Sequence, residues 1–345
     1  MLPIFLFVFY LMFAFYVLSE NKPNKNNNNL QKFDVIYTWV DSYDPERDLY
    51  VQKSNSSSSE SDKYRYNSVN ELLFSLRSLF QYCSDWVGTV YIVVKDGQCP
   101  YFIDFNNPQI KLINHSEIIP SFVLPTFNSN AIEMFLHKIP NLSETYVYMN
   151  DDMFINKPFY PLTVNNKIGI NLPKNYREIS KDVLNDLEQK NFSEEDGNGK
   201  VPYEFSKMWN NTIYNANKIF NSNLSFWIPH VPSVCYKPWE IQLQTIFKEN
   251  ELWFSTISSK TRTNSNIVIN NGFRIFFYLT KTDAEVVHWK EKWITLKSEK
   301  RCFFPDLVDK KSFNFFSVGE IDSECYLTFT EEMEKIYPEK SPVEF

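Results

Sequence analysis

Residues 146–155 read YVYMNDDMFI: an apolar run is broken by Asn150, Asp151 and Asp152 and resumes at once. Burying an unpaired carboxylate is costly, so these two charges must be solvated, paired or bound to a cation. Adjacent carboxylates with no His–Cys cluster nearby are hard oxygen donors, suited to Mg2+ or Mn2+ rather than zinc. Such ions keep several waters and take further ligands from a substrate's phosphates, which points to a nucleotide or nucleotide sugar. Taken alone, the triplet also reads as a turn, because Asn and Asp favour turns. The same holds for Asp41 and Asp96, each just past an apolar segment. Glu133 and His137 stand at i and i+4, a spacing that shares one helical face and is usually solvated. His230 lies in IPHVP, where two prolines forbid regular helix and hold the imidazole on a rigid segment. Arg262, in SSKTRTNSN, is a guanidinium in a polar stretch, either solvated or placed to clamp a phosphate.

These side chains need a scaffold. FDVIYTWV (33–40), TVYIVV (89–94) and TYVYM (145–149) are β-branched and aromatic runs without a polar face, the pattern of buried parallel strands. IKLIN (110–114) is a fourth apolar segment. In VNELLFSLRSLFQYC, Val69, Leu72, Leu76, Leu79 and Cys83 recur at helical spacing, with Leu73 and Phe80 widening the stripe. Asn130 and Glu133 have the spacing of a capping-box variant, which predicts a helix from 130 to Pro140. The order strand, helix, strand, strand, helix, strand implies an α/β fold, a mostly parallel Rossmann-like sheet with helices on both faces. Ligands of such sheets collect beyond the carboxyl ends of the strands. Asp41, Asp96 and the Asp151–Asp152 pair all stand just past such ends. QKSNSSSSESDK (52–63) reads as a loop and the polar stretch 161–200 as an exposed insertion. The aromatic-rich part from 201 onward, with a helix around 237–249, is expected to complete the site.

A chain of 345 residues can bury one large core or two smaller ones. With only seven glycines it has neither a P-loop nor a G-x-G-x-x-G, and so no Gly-rich phosphate cradle. A net charge of −7 without a basic stripe argues against a nucleic-acid partner. The five cysteines show no C-x-x-C spacing, which argues against structural zinc, and disulfides among them require an oxidising compartment. Residues 2–18, LPIFLFVFYLMFAFYVL, carry no charge and read as secretory targeting, with 1–19 a signal peptide or signal anchor and 20–32 an Asn-rich tether. The expectation is membrane attachment if the segment is uncleaved and secretion if it is cleaved.

Taken together, the blocks resemble the Stealth family of sugar-1-phosphate transferases, which includes the N-acetylglucosamine-1-phosphotransferase α/β subunit and microbial capsule polymerases. FDVIYTWVDSYDP is similar to the first Stealth block (33–45), and NELLFSLRSLFQYCSDWVGTVYIVVKDGQCP through LPTFNSNAIEMFLHKIPNLSETYVYMNDDMF to the second (65–160). IPHVPSVCYKPWEIQLQTIF through SKTRTNSNI resembles the third (201–270), and RCFFPDLVD with YPEKSPVEF the fourth (300–345). The resemblance thus covers 33–345 as one catalytic domain with a nucleotide-sugar-transferase-like sheet.

What the resemblance implies is transfer of a sugar-1-phosphate, such as N-acetylglucosamine-1-phosphate, from a UDP-sugar to a hydroxyl of a glycan or glycoprotein acceptor. A phosphodiester forms and UMP leaves. It also implies a Golgi membrane location with a lumenal catalytic domain, and allows a homodimer. Its catalytic positions match Glu133, Asp152, His230 and Arg262. Asp151 and Asp152 would hold Mg2+ or Mn2+, and Trp39, Asp41, Glu71, Arg77, Asp96, Asn128 and Asp306 would bind substrate. Four positions depart from the family pattern: Ser68, Leu73, Asn266 and Pro305 stand where Asp, Arg, Asp and Asn are usual. Those departures leave open a catalytically silent module that binds glycans or nucleotide sugars.

Overall fold

Strand β1 (Phe33–Thr38) is the axis of the molecule, with a parallel strand on each side. The computed structural model describes residues 31–53, 68–172, 176–184, 203–263, 266–296, 298–304 and 312–345. The apolar segment 2–18, most of the tether, much of the insertion, and Pro305 and Asp306 lie outside them. After β1 the strands are β2 (Val87–Val94), β3 (Ile110–Asn114), β4 (Thr145–Asn150), β5 (Met153–Ile155), β6 (Gly169–Asn171), β7 (Arg177–Glu178) and β8 (Leu224–Ser225). β9 (Ser233–Tyr236), β10 (Glu285–Val287), β11 (Glu291–Leu296) and β12 (Phe315–Ile321) follow.

The main sheet has the order β3-β2-β1-β4-β9, parallel except for antiparallel β9. The chain runs from β1 to β2 and β3 on one side, then returns to place β4 on the other. This reversal opens a crevice outside the carboxyl ends of β1 and β4, where ligands of open α/β sheets bind. Thr38 pairs with Asn150, so the residues that leave the two strands emerge side by side.

Side chains alternate between the two faces of the sheet. Val35, Tyr37, Val147 and Met149 enter one core with Leu72, Leu76, Leu79, Phe80 and Cys83 of the helix Glu71–Cys83. Ile36, Tyr146 and Tyr148 enter the opposite core, under the helices Tyr203–Phe220, Lys237–Glu249, Leu252–Ile257 and Arg274–Lys281. Burial on both faces is why these strands read as continuous apolar runs. The expected α/β architecture, mostly parallel with helices on both faces, is the one found.

A second sheet, β11-β12-β5, grows directly from the acidic turn, because β5 begins at Met153. With the helix Tyr326–Ile336 it encloses a third core that includes Phe154, Ile294, Leu296, Phe316, Phe329 and Met333. A disulfide joins Cys302 to Cys325 at its edge.

Two local expectations change. A helix over Pro45–Lys53 was not foreseen, although Asp44, which accepts the N–H groups of Glu46 and Arg47, and Pro45 are ordinary start signals. The helix expected over 130–140 is one short turn, Ser129–Glu133, followed by a 3-10 turn at Leu136–Lys138. Its cap is Asn128, not Asn130, and Glu133 and His137 are buried rather than solvated. The local N-x-x-E signal lost to packing, because the segment is wedged between the main sheet and the helices above it.

Candidate active site

The acidic triplet is a turn and a cluster of charge at once. β4 carries Asn150 to the carboxyl edge, the chain turns through Asp151 and Asp152, and β5 leads it back into the core. Glu71 joins from the first turn of its helix, its carboxylate accepting the Val69 N–H at 2.6 Å and the Ser68 hydroxyl at 3.3 Å. Burial, then the neighbouring charges of Asp152 and Glu71, hold the Asp151 carboxyl well above its usual range. Burial pushes Glu71 up to about 7, with its backbone hydrogen bonds opposing and Asp152 adding to the rise. Asp151 and Glu71, both raised in the neighbourhood of Asp152, crowd carboxyl groups at this edge of the sheet.

The donor set fits a hard divalent cation. Asp151 and Asp152 offer oxygens at the crevice, and the Oδ1 of Asn150 is buried there without a hydrogen-bond partner. Among the described residues no three His, Cys, Asp or Glu side chains close into a ready-made metal cage. A cation here would therefore complete its shell with water and substrate oxygens, as Mg2+ commonly does.

His230 is delivered to Asp152 from 78 residues away, its Nε2 standing 3.0 Å from Oδ1 and 3.2 Å from Oδ2. The second sheet sets this contact. The Val318 N–H donates to the Asp152 carbonyl, and the Ser317 hydroxyl donates to the His230 carbonyl. Burial works against the imidazolium, but the Asp152 carboxylate outweighs it, helped by Glu291, and the His230 pKa is raised. The Trp293 indole lies edge-on to the imidazole, with centroids 5.1 Å apart.

Glu133 occupies the floor on the other side of β4. It accepts the Asn270 N–H at 2.9 Å and the Tyr148 hydroxyl at 3.3 Å, and Tyr148 in turn meets the Thr38 hydroxyl at 3.0 Å. Burial raises its pKa, opposed by the charges of Arg274 and Arg262. Arg262 donates its Nε to the Ser129 hydroxyl at 2.8 Å and also depresses His230 electrostatically. Of the four expected catalytic positions, Asp152 touches His230, and the Arg262 charge acts on both Glu133 and His230.

The expected substrate-binding residues divide. Glu71 belongs to the acidic cluster, and Trp39 leaves β1 at the crevice with its Nε1 buried and without a partner. Asp41 and Asp96 reach the same edge, but their carboxylates cap local structure. Asp41 accepts the Tyr43 N–H at 3.0 Å, and Asp96 accepts the Ser116 N–H at 3.1 Å. Arg77 is a correction. It lies six residues, about 9 Å, along the helix from Glu71, and its guanidinium is taken up by Glu344, Glu334 and the Tyr337 carbonyl. Asn128 is another: fully buried, it donates to the Thr256 carbonyl and to Asn266 Oδ1 while capping the Ser129 helix.

Asn266 thus sits in the same buried latch and not in the crevice. Glu291, Trp293, Tyr148 and Asn270 were missed. Their signal was faint, a charge and an indole on the alternate positions of EKWITL and a tyrosine inside an apolar strand.

Comparison with known proteins bears on this region directly. Residues 65–170, which contain Glu71, Glu133, Asp151 and Asp152, match Stealth protein CR2, conserved region 2. Over these residues the chain is similar to the Stealth family. Capsular polysaccharide phosphotransferase fcs1 of Haemophilus influenzae is 42% identical over 157 residues, which is 41% of this chain and 43% of that protein. Capsular polysaccharide phosphotransferase LcbA of Neisseria meningitidis is 41% identical over 135 residues, 37% of this chain and 36% of that one. The chain spans less than half the length of these relatives. The galactosyltransferase LgtC superposes at a TM-score of 0.40 with 9% identity, over 90% of this chain and 97% of that one, too remote to bear on activity.

These capsule relatives correct one expectation. They are bacterial capsule enzymes, and bacteria have no Golgi, so a single-pass Golgi protein is not supported. Among the described residues no helix is long and apolar enough to cross a membrane.

Proposed function

We propose that this chain transfers a sugar-1-phosphate from a UDP-sugar to a hydroxyl of an acceptor glycan, forming a phosphodiester and releasing UMP. N-acetylglucosamine-1-phosphate is the first group to test. The observation that carries the reading is the His230–Asp152 contact at the carboxyl edge, beside Asp151, in a chain whose matched relatives are named phosphotransferases.

With its Nε2–H directed at Asp152, His230 keeps Nδ1 to take the proton of the acceptor hydroxyl. Asp152 fixes the ring and stabilises the imidazolium that forms. The acceptor oxygen bonds to the phosphorus that bears the sugar, and the bond from that phosphorus to the UMP oxygen breaks. Arg262 stabilises the charge on the phosphoryl oxygens in transit. Glu133, fixed by Asn270 and Tyr148, binds sugar hydroxyls or acts as a second base. Asp151 and Asp152 would hold Mg2+ or Mn2+, which when bound supplies neutralisation of the pyrophosphate charge.

The silent-module reading loses part of its support, since Asn266 is a buried structural amide whose replacement of Asp removes no charge from the crevice. The test is the leaving group. Incubation with UDP-N-acetylglucosamine and simple glycosides should release UMP and give a phosphodiester product, with EDTA abolishing both. UDP with a phosphate-free glycoside would overturn the proposal.

A further inference from the structure

We propose that the face of β11 carrying Trp293 is the acceptor subsite, and that a pyranose ring of the acceptor glycan stacks on the Trp293 indole. The proposal rests on the reading of His230 as the group that meets the acceptor hydroxyl.

The strand EKWITL alternates. Ile294 and Leu296 point into the third core, which leaves Glu291, Trp293 and Thr295 on the other face. Trp293 is 52% exposed there. Exposure of a single aromatic means little, but two contacts fix this ring in place. Its edge meets the His230 imidazole at 5.1 Å and an interplanar angle of 82°. It also lies on Gly319 of β12, where an added Cβ would overlap indole Cζ2 and stand 2.6 Å from Cη2. Glycine weakens a strand interior and often marks such a close approach.

The chemistry of the exposed surface selects its occupant. A pyranose presents a patch of C–H groups on its face and hydroxyls around its rim. The face matches the flat, apolar, electron-rich indole, while the rim reaches polar groups beside it. Those groups are His230 and Glu291, the latter two residues before Trp293 on the same strand face. The register carries the argument further: Trp293 pairs with Ser317, whose hydroxyl holds the His230 carbonyl. Platform and candidate base are therefore built on one short piece of sheet, and a ring stacked on the first brings its hydroxyls to the second.

The test is glycan binding without catalysis, followed by saturation-transfer NMR. The probes are the methyl glycosides of glucose, galactose, mannose and N-acetylglucosamine, with UMP as control. At least one glycoside should bind saturably to the unmodified protein. Trp293→Ala should raise its dissociation constant about tenfold and Trp293→Phe no more than about threefold, with UMP binding unchanged. Gly319→Ala keeps the indole but lifts it from its seat, and should weaken the glycoside as well. No saturable glycoside, an unchanged constant in both Trp293→Ala and Gly319→Ala, or a loss confined to UMP would overturn the subsite. UMP release with an unaltered acceptor KM in Trp293→Ala would sink the subsite and leave the transfer reading standing. Glycoside binding that depends on Trp293 without any UMP release would do the reverse.

Discussion

Two ion pairs of this molecule have opposite designs. Arg274 and Glu240 meet through two bonds of 2.8 and 3.0 Å with side chains only 2% and 6% exposed. Further bonds close around the pair: Arg274 donates to Ser233 and Asn270, and Glu240 accepts from Tyr278. His230 and Asp152 stand nearly as close, at 3.0 and 3.2 Å, but they are 30% and 24% exposed and adjoin a second carboxyl, Asp151, with no cation beside it among the described ion pairs. A buried, saturated pair has no capacity left for a ligand, whereas a half-open pair with surplus charge does. The histidines repeat the contrast. Burial depresses His115 and His137 to about 4, while Asp152 raises His230. Ionisable type alone does not separate fold from chemistry; what matters is whether the local hydrogen bonds are closed.

The contrast predicts where each pair should fail. Arg274→Met leaves Glu240 buried without a counter-charge and should cost about 3–5 kcal/mol, read as a lower denaturant midpoint. Activity should fall mainly with the folded fraction, with the acid limb of the pH profile also moving up as Glu133 loses the Arg274 charge. His230→Ala should instead lower kcat about 10²- to 10⁴-fold with the unfolding midpoint nearly unchanged, and Asp152→Asn should follow it. A large stability loss in either crevice variant would erase the distinction.

The next effect is on acid stability. His115 and His137 are held neutral in the fold by burial, with pKa values of about 4 against an ordinary 6.5. Between those values the unfolded chain binds protons that the folded chain does not, so stability falls as pH drops from 6.5 toward 4 and levels off below. Each should cost up to about 3 kcal/mol across that window. Asn or Gln in place of either should flatten the slope of unfolding free energy against pH, and an unaltered slope would show that these rings are not desolvated.

What could be read in advance follows the same division. Carboxylates past strand ends were legible because a strand and its exit are local in sequence, and the alternation in FDVIYTWV and TYVYM already fixes which side chains share a face. The partners of Asp152 were not, because β12 and the His230 loop reach it across more than 75 residues, through pairings that no local pattern encodes. Arg77 and Asn128 carry the chemistry of ligand-binding groups, but only tertiary structure tells a guanidinium held by Glu344 from one awaiting a phosphate. Glu133 was rightly placed on a helix, yet its burial came from a fold-level wedge that overrode a surface-like spacing.

Asn266 offers a smaller and sharper probe of closed bonding. Its Oδ1 accepts from Asn128 and from the Thr263 N–H, while its Nδ2 donates to the Ser255 carbonyl at 3.1 Å. Asn266→Asp restores the residue usual in the resembled family but turns that last bond into two facing oxygens. In this chain it should destabilise by about 1–3 kcal/mol, measured by urea unfolding, with the acceptor KM unaltered. A gain in turnover without loss of stability would instead give position 266 a part in the reaction.

Tyr148→Phe should have the smallest effect and tests the boundary between the two designs, because its hydroxyl is buried like the first pair yet serves Glu133 like the second. The phenol bridges Thr38 at 3.0 Å and Glu133 at 3.3 Å. Phenylalanine fills the same core space, so stability should drop by only about 1 kcal/mol. The bond to Tyr148 holds the Glu133 pKa down against the rise that burial imposes, so its loss should move that pKa further up. If Glu133 must be ionised to act, the acid limb of the kcat/KM profile shifts to higher pH while the rate on the plateau stays close to the original. A lower plateau with an unmoved limb would make the hydroxyl a packing and positioning element only. An unchanged profile and an unchanged midpoint would mean that the Arg274 and Arg262 charges and the Asn270 N–H hold Glu133 without the phenol, and that the floor of the crevice is less closed than its burial implies.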